Sequence, residues 1–468
     1  KNLSKKQFFH LNLFILFSII AMLLEMIGIS LIIPIANIFT QDQIVFTKFE
    51  ILNDLELNQY SKTKLIIYSL SCLVIVYLFK TIFLTFISFQ QGKFLTDIKR
   101  SISEKLFINY LDRPYEFYLN NNSFSLIRNI NDVINFSVLV NSVLMFLTEI
   151  CILMGISFLL IFYEPVGSII TIIIIGLIGI LFSYKVKKKA EFWGHERRIA
   201  DGYKLRVMQE SFSLIKEIKI LNIDKFFISK FINSNNLSAI NQFKHQFVLS
   251  LPRYWFELIA IFGFAILILV ITHNQESNSN IIATIGLFAA ATFRLLPSVI
   301  RMINNVQQIH FSLPVLNNLS DEFNFEKTNK LIKTDLNTKF FAKKDLVLKS
   351  IYFKYEKSNK NILENINLNI QNGSIVGIKG ASGVGKTTLV NIILGLLKPS
   401  SGQILVDGVD INKNLKSWQS LVGYVPQNIY LLDDTIKENI IFGRGAVDNA
   451  DVKLENSIKL AQLEKLIL

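Results

Sequence analysis

A chain of 468 residues, 51% of them apolar and with a mean hydropathy of +0.40, is too greasy for a soluble protein of its size, and its apolar residues come in long blocks. The formal charge of +13 would suit a nucleic-acid binder, but the basic residues cluster between the apolar blocks and form no platform interleaved with aromatics, which argues against that class. Cys72 and Cys151 both lie inside apolar blocks and read as small buried hydrophobes rather than as a disulfide.

Six blocks are long enough to cross about 30 Å of hydrocarbon, at 11–39, 65–89, 137–163, 166–184, 249–272 and 281–303. Pro34 and Pro297 interrupt two of them, which transmembrane helices tolerate. The first block is too long for a signal-peptide core and reads as a retained helix. Segment 185–249 is dense in Lys and Arg, whereas 164–165 and 273–280 carry neither. The positive-inside rule therefore puts the N-terminus, 92–136, 185–249 and the C-terminal region in the cytoplasm. Both inner segments are helix-patterned, so the membrane helices are expected to continue into the cytosol and to be paired outside by short turns. The exception outside is 40–64, whose FTKFEILNDLEL reads as a short amphipathic helix at the interface.

Ionisable groups within spans are expensive, and each marks a candidate site. Lys80 in the second block and Arg294 in the sixth fall at similar depth, and Arg301 follows Arg294 by one heptad on roughly the same face. Together they could line a cavity and receive a pyrophosphate, the arginines through bidentate contacts. The alternative is that they snorkel to headgroups or form ion pairs with Glu25 or Glu257.

From Asn317 to Phe341 the chain turns polar and reads as a linker, and 345–355 alternates as a strand. The motif GASGVGKTT follows at 380–388. Gly380, Gly385, Lys386 and Thr387 fit the phosphate-loop pattern, after an apolar run at 374–378 expected to be a buried strand and before a helix-like 389–397. Glycines let the backbone N–H groups approach phosphate oxygens at a helix N-terminus. Lys386 would neutralise the β/γ-phosphates of ATP, the Thr387 hydroxyl would ligate Mg²⁺, and Ser382, Gly383, Val384 and Thr388 complete the nucleotide contacts. Asp407 in QILVDG imitates a metal-binding strand end, but Gly408 follows it and it reads as a turn residue.

Six spans, long inner loops and a following phosphate-loop domain resemble an ATP-binding cassette exporter half-transporter. That resemblance implies an α-helical six-span transmembrane domain at 1–316, a linker at 317–341 and the N-terminal part of an α/β P-loop NTPase domain at 342–468. It also implies that Tyr355 stacks on adenine, with the neighbouring Tyr352 and Phe353 as alternative platforms, and that Gln427, in VGYVPQN, senses Mg²⁺ and the γ-phosphate. Turns near 112–118 and 212–217 would couple the cassette to the membrane helices. The stretches LLEMIGISLIIPI, LPRYWFELI and FRLLPSVIRMI narrow the resemblance to the flippases of lipid-linked oligosaccharide in bacterial protein N-glycosylation. The expected partners are then a second identical subunit, membrane lipid and a lipid-linked glycan, with no nucleic acid, in the bacterial plasma membrane. An exporter of another lipid, a peptide or a drug is the alternative.

Through Leu468 the sequence holds no LSGGQ-like signature, no Asp-Glu pair ending a strand and no switch histidine, since His10, His195, His245, His273 and His310 all precede the cassette. The resemblance implies that Leu468 falls partway through the cassette and that these 468 residues, without the catalytic groups, bind nucleotide but do not turn it over. If Leu468 were the native end, a non-hydrolysing nucleotide-binding membrane protein would be the reading.

Overall fold

The computed structural model describes residues 5–31, 61–163, 165–273, 278–329, 345–356, 358–443 and 450–467, with 35 and 340 between them; the side chains of 5–8, 62, 163, 166, 167, 170, 171, 260, 263, 264, 266–294, 321, 323–329, 466 and 467 are outside that description. The interfacial helix expected within 46–57 lies outside the described residues. Two compact units divide the chain, Lys1–Ile332 and Lys333–Leu468.

The first unit is helical throughout: α1 (Lys5–Ser30), α2 (Lys62–Leu111), α3 (Tyr115–Asn120), α4 (Ser123–Tyr163), α5 (Pro165–Ser213), α6 (Ile215–Leu221), α7 (Asp224–His273) and α8 (Asn278–Asn329). At 1.5 Å per residue, α2, α5, α7 and α8, of 49 to 52 residues each, run about 75 Å. This is more than twice the hydrocarbon thickness, so each passes from an apolar into a polar stretch without a break. Phe9–Ser30, Thr63–Leu111 and Ser123–Phe162 are, among the described residues, long and apolar enough to cross a membrane. The remaining three expected spans fall within α5, α7 and α8. Ile75, Leu78, Phe79, Ile82 and Phe89 of α2 are exposed, a surface that water would not tolerate and lipid would. Cys72 is exposed and Cys151 half-buried; both are free, so neither is the fully buried hydrophobe expected. The polar stretch from Asn317, expected to be linker, continues α8 to Asn329, because Leu319 and Val315 still bury their side chains against Leu106, Tyr110 and Val133.

The bundle is held by successive apolar layers. Phe14, Phe94, Ile98 and Leu144 join α1, α2 and α4, and Ile29, Ile152, Ile156 and Leu295 join α1, α4 and α8. Beyond the apolar layers, charged groups tie the turn after α2 to α8, and α4 to α5 and α8. Arg113 meets Glu322 at 2.9 Å, Asn129 donates to the other oxygen of Glu322 at 3.1 Å, and the Arg198 Nε donates to Asp132 at 2.8 Å. Burial pushes the Tyr110 hydroxyl, which accepts from Asn129, up to about 12. At Gly194 of α5 the backbone of α8 comes so close that a Cβ would sit 2.0 Å from the Phe311 carbonyl oxygen. Gly194→Leu should therefore lower the thermal unfolding midpoint measured in lipid nanodiscs, by an amount equivalent to about 2–3 kcal/mol.

Next to that contact the His245 ring of α7 stacks on Phe311 at 3.8 Å between centroids. Burial holds the imidazole down at about 4, with the Arg197 charge in the same sense and a hydrogen bond to the Gln307 backbone opposing both. An unfolded chain protonates this group near its ordinary 6.5, so between those values the unfolded state carries the extra proton and stability falls as pH drops; above 6.5 the contribution is constant. Comparing unfolding midpoints at pH 5 and 7.5, His245→Phe should lose less on acidification than the wild type, and equal losses would show that His245 is not the group responsible.

The second unit carries a four-stranded antiparallel sheet in the order β2-β1-β3-β4, formed by β1 (Leu346–Phe353), β2 (Leu363–Ile370), β3 (Ser401–Val406) and β4 (Val409–Asp410). Leu348 stands opposite both Leu368 and Ile404. One face buries Leu348, Ile351, Phe353, Ile404 and Val406 against Ile392, Leu397 and Trp418. Asp407 and Gly408, with φ of 53° and 80°, turn the chain between β3 and β4, as the sequence predicts for a turn residue. The strand expected at 374–378 does not form. That segment pairs with no neighbour among the described residues, and Ile375 is fully exposed, so its apolar character is not spent on this sheet.

Candidate functional site

The helix α9 (Lys386–Ile393) begins at Gly385, whose φ of 100° only glycine adopts without strain. A Cβ there would also meet Ile362 Cγ2 at 2.9 Å and Leu363 Cδ2 at 3.0 Å, so the start of β2 forms the floor beneath the loop. Gly383 turns the loop with φ of 81°, and a Cβ on Gly380 would press on Val384 at 3.0 Å. Gly385 offers no side chain to cap the first turn, which leaves its N–H groups pointing out of the helix end toward the loop.

Lys386 curls back over this loop, its Nζ donating to the carbonyls of Gly380 at 2.8 Å and Ala381 at 2.7 Å. An ammonium held by two neutral carbonyls gains from exchanging them for phosphate oxygens, because both partners of the new bond are then charged. Thr387 is exposed, whereas Thr388 is buried and shares a hydrogen bond with the Tyr355 hydroxyl at 3.1 Å. Adjacent helix positions point about 100° apart, so one threonine faces the site and the other locks the loop to the sheet. Tyr355 is held in turn by an edge-on contact with Phe353 at 4.9 Å. Ser382 and Val384 are exposed on the loop. At the far end of α9, the Trp418 indole and the Gln419 amide donate to the carbonyls of Ile393 and Leu394 at 2.8 and 3.2 Å.

Gln427 is exposed on the segment after α10 (Leu415–Gln419) and makes no hydrogen bond to the loop among the described residues. Its amide oxygen and the Thr387 hydroxyl are hard donors of the kind Mg²⁺ takes. No group of three His, Cys, Asp or Glu side chains forms a metal cluster among the described residues. The fold brings the loop, Lys386 and Tyr355 together. The sequence pattern missed the Thr388–Tyr355 bond and the floor made by Ile362 and Leu363, because neither leaves a motif.

In the membrane unit, Lys80 of α2 pairs with Glu25 of α1 at 3.0 Å, both nearly buried, and lies 4.5 Å from the centre of the Tyr77 ring. Arg301 of α8 makes a forked contact with Glu149 of α4, at 2.5 and 3.2 Å, and donates to Ser298 at 3.1 Å. Its side chain is 43% exposed while Glu149 is 7% exposed. Lys80 and Arg301 thus have separate carboxylate partners on separate helices, and the Arg294 side chain lies outside the described residues. Glu149 was missed by the sequence reading, although a carboxylate inside the block 137–163 was the signal for it.

Family models match both units: the ABC transporter transmembrane region over residues 11–295 and the ABC transporter domain over 363–467. The chain belongs to the ABC transporter family and is a multi-pass membrane protein. It is 24% identical over 395 residues to an ATP-dependent lipid A-core flippase of Cupriavidus pinatubonensis, covering 81% of this chain and 65% of that protein. It is 24% identical over 404 residues to a multidrug resistance-like ATP-binding protein of Buchnera aphidicola, covering 81% and 67%. In fold it resembles a bacterial Atm1-family ABC exporter solved with ATP bound, with a TM-score of 0.75 at 16% identity, over 99% of this chain and 78% of that one. The chain thus spans about two thirds of the length of these curated relatives, and less of others: 54% of a lipid A-core flippase of Legionella pneumophila.

Lys386→Ala should weaken Mg-ATP binding at least tenfold, read by equilibrium binding of a fluorescent ATP analogue, with an unchanged unfolding midpoint because the side chain's two hydrogen bonds go to its own loop.

Proposed function

We propose that the complete protein is an ATP-driven exporter that flips a pyrophosphate-anchored, lipid-linked oligosaccharide across the bacterial plasma membrane. Two copies would work together, six spans from each, with N-termini and cassettes in the cytoplasm. The observation that supports this most directly is Lys386, poised over a glycine-built loop at the N-terminus of α9, on the same chain as helices long enough to leave a membrane and continue into water. In this reading Lys386 and the first-turn N–H groups bind the β- and γ-phosphates, Thr387 and Gln427 hold Mg²⁺, and Tyr355 gives adenine a flat face. Mg²⁺, when bound, neutralises charge developing on the phosphates.

On the cargo side, Arg301 is the cation whose geometry favours anion contact. Its Nε and Nη2 are fixed by Glu149 and Ser298, and its partial exposure leaves the remaining N–H groups for a phosphate. Lys80, almost buried against Glu25, is the weaker candidate, and its pair with that carboxylate favours a structural role. Arg294 would add to the same lining.

A second reading has support from the relatives named lipid A-core flippases: a phosphorylated lipid A-type glycolipid as cargo. The ATPase rate of the complete protein in nanodiscs separates them. Polyprenyl-pyrophosphate oligosaccharide should raise the rate severalfold in Mg²⁺, Arg301→Ala should remove the rise while leaving the basal rate, and chelating Mg²⁺ should abolish both. Stimulation by lipid A alone would move the assignment to the second reading, and no response to either lipid would defeat both.

A further inference from the structure

Where α7 passes α8, at the cytoplasmic ends of the fifth and sixth expected spans, buried polar atoms gather that the nucleotide loop and the cation pairs leave unused. His245 of α7 stacks on Phe311 of α8, and further along α7 Phe256 packs on Val299 and Ile303. The two helices therefore run antiparallel, with Val248 level with Gln307 and Pro252 level with Asn304. His245, Val248 and Pro252 fall within about 60° of one another around α7, as do Asn304, Gln307 and Phe311 around α8, so two narrow faces meet.

Gln307 is 0% exposed, and neither its amide nitrogen nor its amide oxygen has a hydrogen-bond partner among the described residues. The same holds for the Asn304 amide oxygen and for Nε2 of His245, a side chain 3% exposed. The hydrogen bond from His245 to the Gln307 backbone is thus donated by Nδ1, which leaves Nε2 as a buried acceptor. Pro252, buried inside α7, has no N–H. The Val248 carbonyl loses its donor one turn on, and the proline ring pushes that carbonyl aside. Side chains lean toward the N-terminus of their helix, whereas carbonyls point to the C-terminus. Because α8 is antiparallel to α7, the Gln307 and Asn304 amides lean the same way as the Val248 carbonyl points, toward Pro252.

Acceptors outnumber donors in this seam, and native proteins leave few such groups bare. An anion would face lone pairs. A further cation would meet Arg197, whose guanidinium lies 5.4 Å from the centre of the Phe311 ring. Water donates as well as accepts and suits the whole set.

We infer that the α7–α8 contact at Pro252 is a binding site for internal water, about two molecules, which replace the backbone donor that the proline removes. One joins the Val248 carbonyl to the Gln307 carboxamide beside the Asn304 oxygen. The other serves His245 Nε2 on the cytoplasmic side. The site depends neither on the exporter reading nor on nucleotide.

The test is X-ray hydroxyl-radical footprinting of the complete protein in phosphatidylcholine nanodiscs, read by mass spectrometry, since radicals formed from a bound water oxidise the buried side chains beside it. Pro252 and His245 should be oxidised several times faster than Phe256, which is equally buried on the same helix but packed among apolar side chains. In Gln307→Leu, apolar and similar in size, that oxidation should fall to the Phe256 level. The same variant deletes water-mediated bonds and should lower the unfolding midpoint by about 2–4 °C, whereas removing a bare amide from a dry contact would raise it. Pro252→Ala restores the N–H that Val248 lacks, and in the double variant it should lessen the loss caused by Gln307→Leu. Protection of Pro252 and His245 equal to that of Phe256, oxidation unchanged in Gln307→Leu, or a raised midpoint in that variant overturns the inference. If Gln307→Leu does not fold, the wild-type footprint decides.

Discussion

A backbone in hydrocarbon has to satisfy its hydrogen bonds within itself, and everything in the first unit depends on that requirement. It makes each crossing a helix, and once a helix is formed nothing at the membrane surface compels it to stop. Helices of about 50 residues result, apolar at one end and charged at the other. Their two halves are held by different means. Ile29, Ile156 and Leu295 pack where hydrocarbon surrounds the bundle, while Arg113–Glu322 and Arg198–Asp132 tie the part that water reaches. Replacing one member of these buried pairs leaves the other charged and unpaired, which costs more than the pair itself contributes. A rigid, continuous helix is also the physical means by which a change at one end can be felt at the other.

The nucleotide loop follows a different constraint, that of bringing backbone N–H groups to a ligand. Positive φ at Gly383 and Gly385 makes the turn, and Ile362 and Leu363 beneath it leave no room for a larger residue. Thr388 fastens the loop to Tyr355 from below, and Lys386 covers it from above through bonds to two carbonyls. The loop itself is shaped before a ligand arrives, so little ordering of it is needed on binding.

Periodicity and hydropathy carried much of this in the sequence. Within the described residues the long apolar blocks fall in helices, 345–355 contains β1, and the glycine pattern at 380–388 forms the loop at the head of α9. What sequence could not convey was pairing at a distance. Nothing local distinguishes Lys80, which meets Glu25, from Arg301, which meets Glu149 and stays partly exposed, since both are single cations in apolar blocks. The run at 374–378 has the composition of a buried strand, but a strand needs a neighbour, and composition does not say whether one is present. The polar stretch after Asn317 looked like linker because its helix is held by two or three apolar contacts rather than by a continuous stripe.

Coupling of phosphate binding to movement of an anionic lipid is the central claim, and direct observation of flipping tests it. The complete protein would be reconstituted in proteoliposomes with a fluorescent polyprenyl-pyrophosphate oligosaccharide, and the fraction accessible to an impermeant reagent followed over time. Accessibility that changes only with Mg-ATP, and not in a Lys386→Ala protein, is the predicted result. Movement at the same rate without nucleotide, or none with it, would contradict the account.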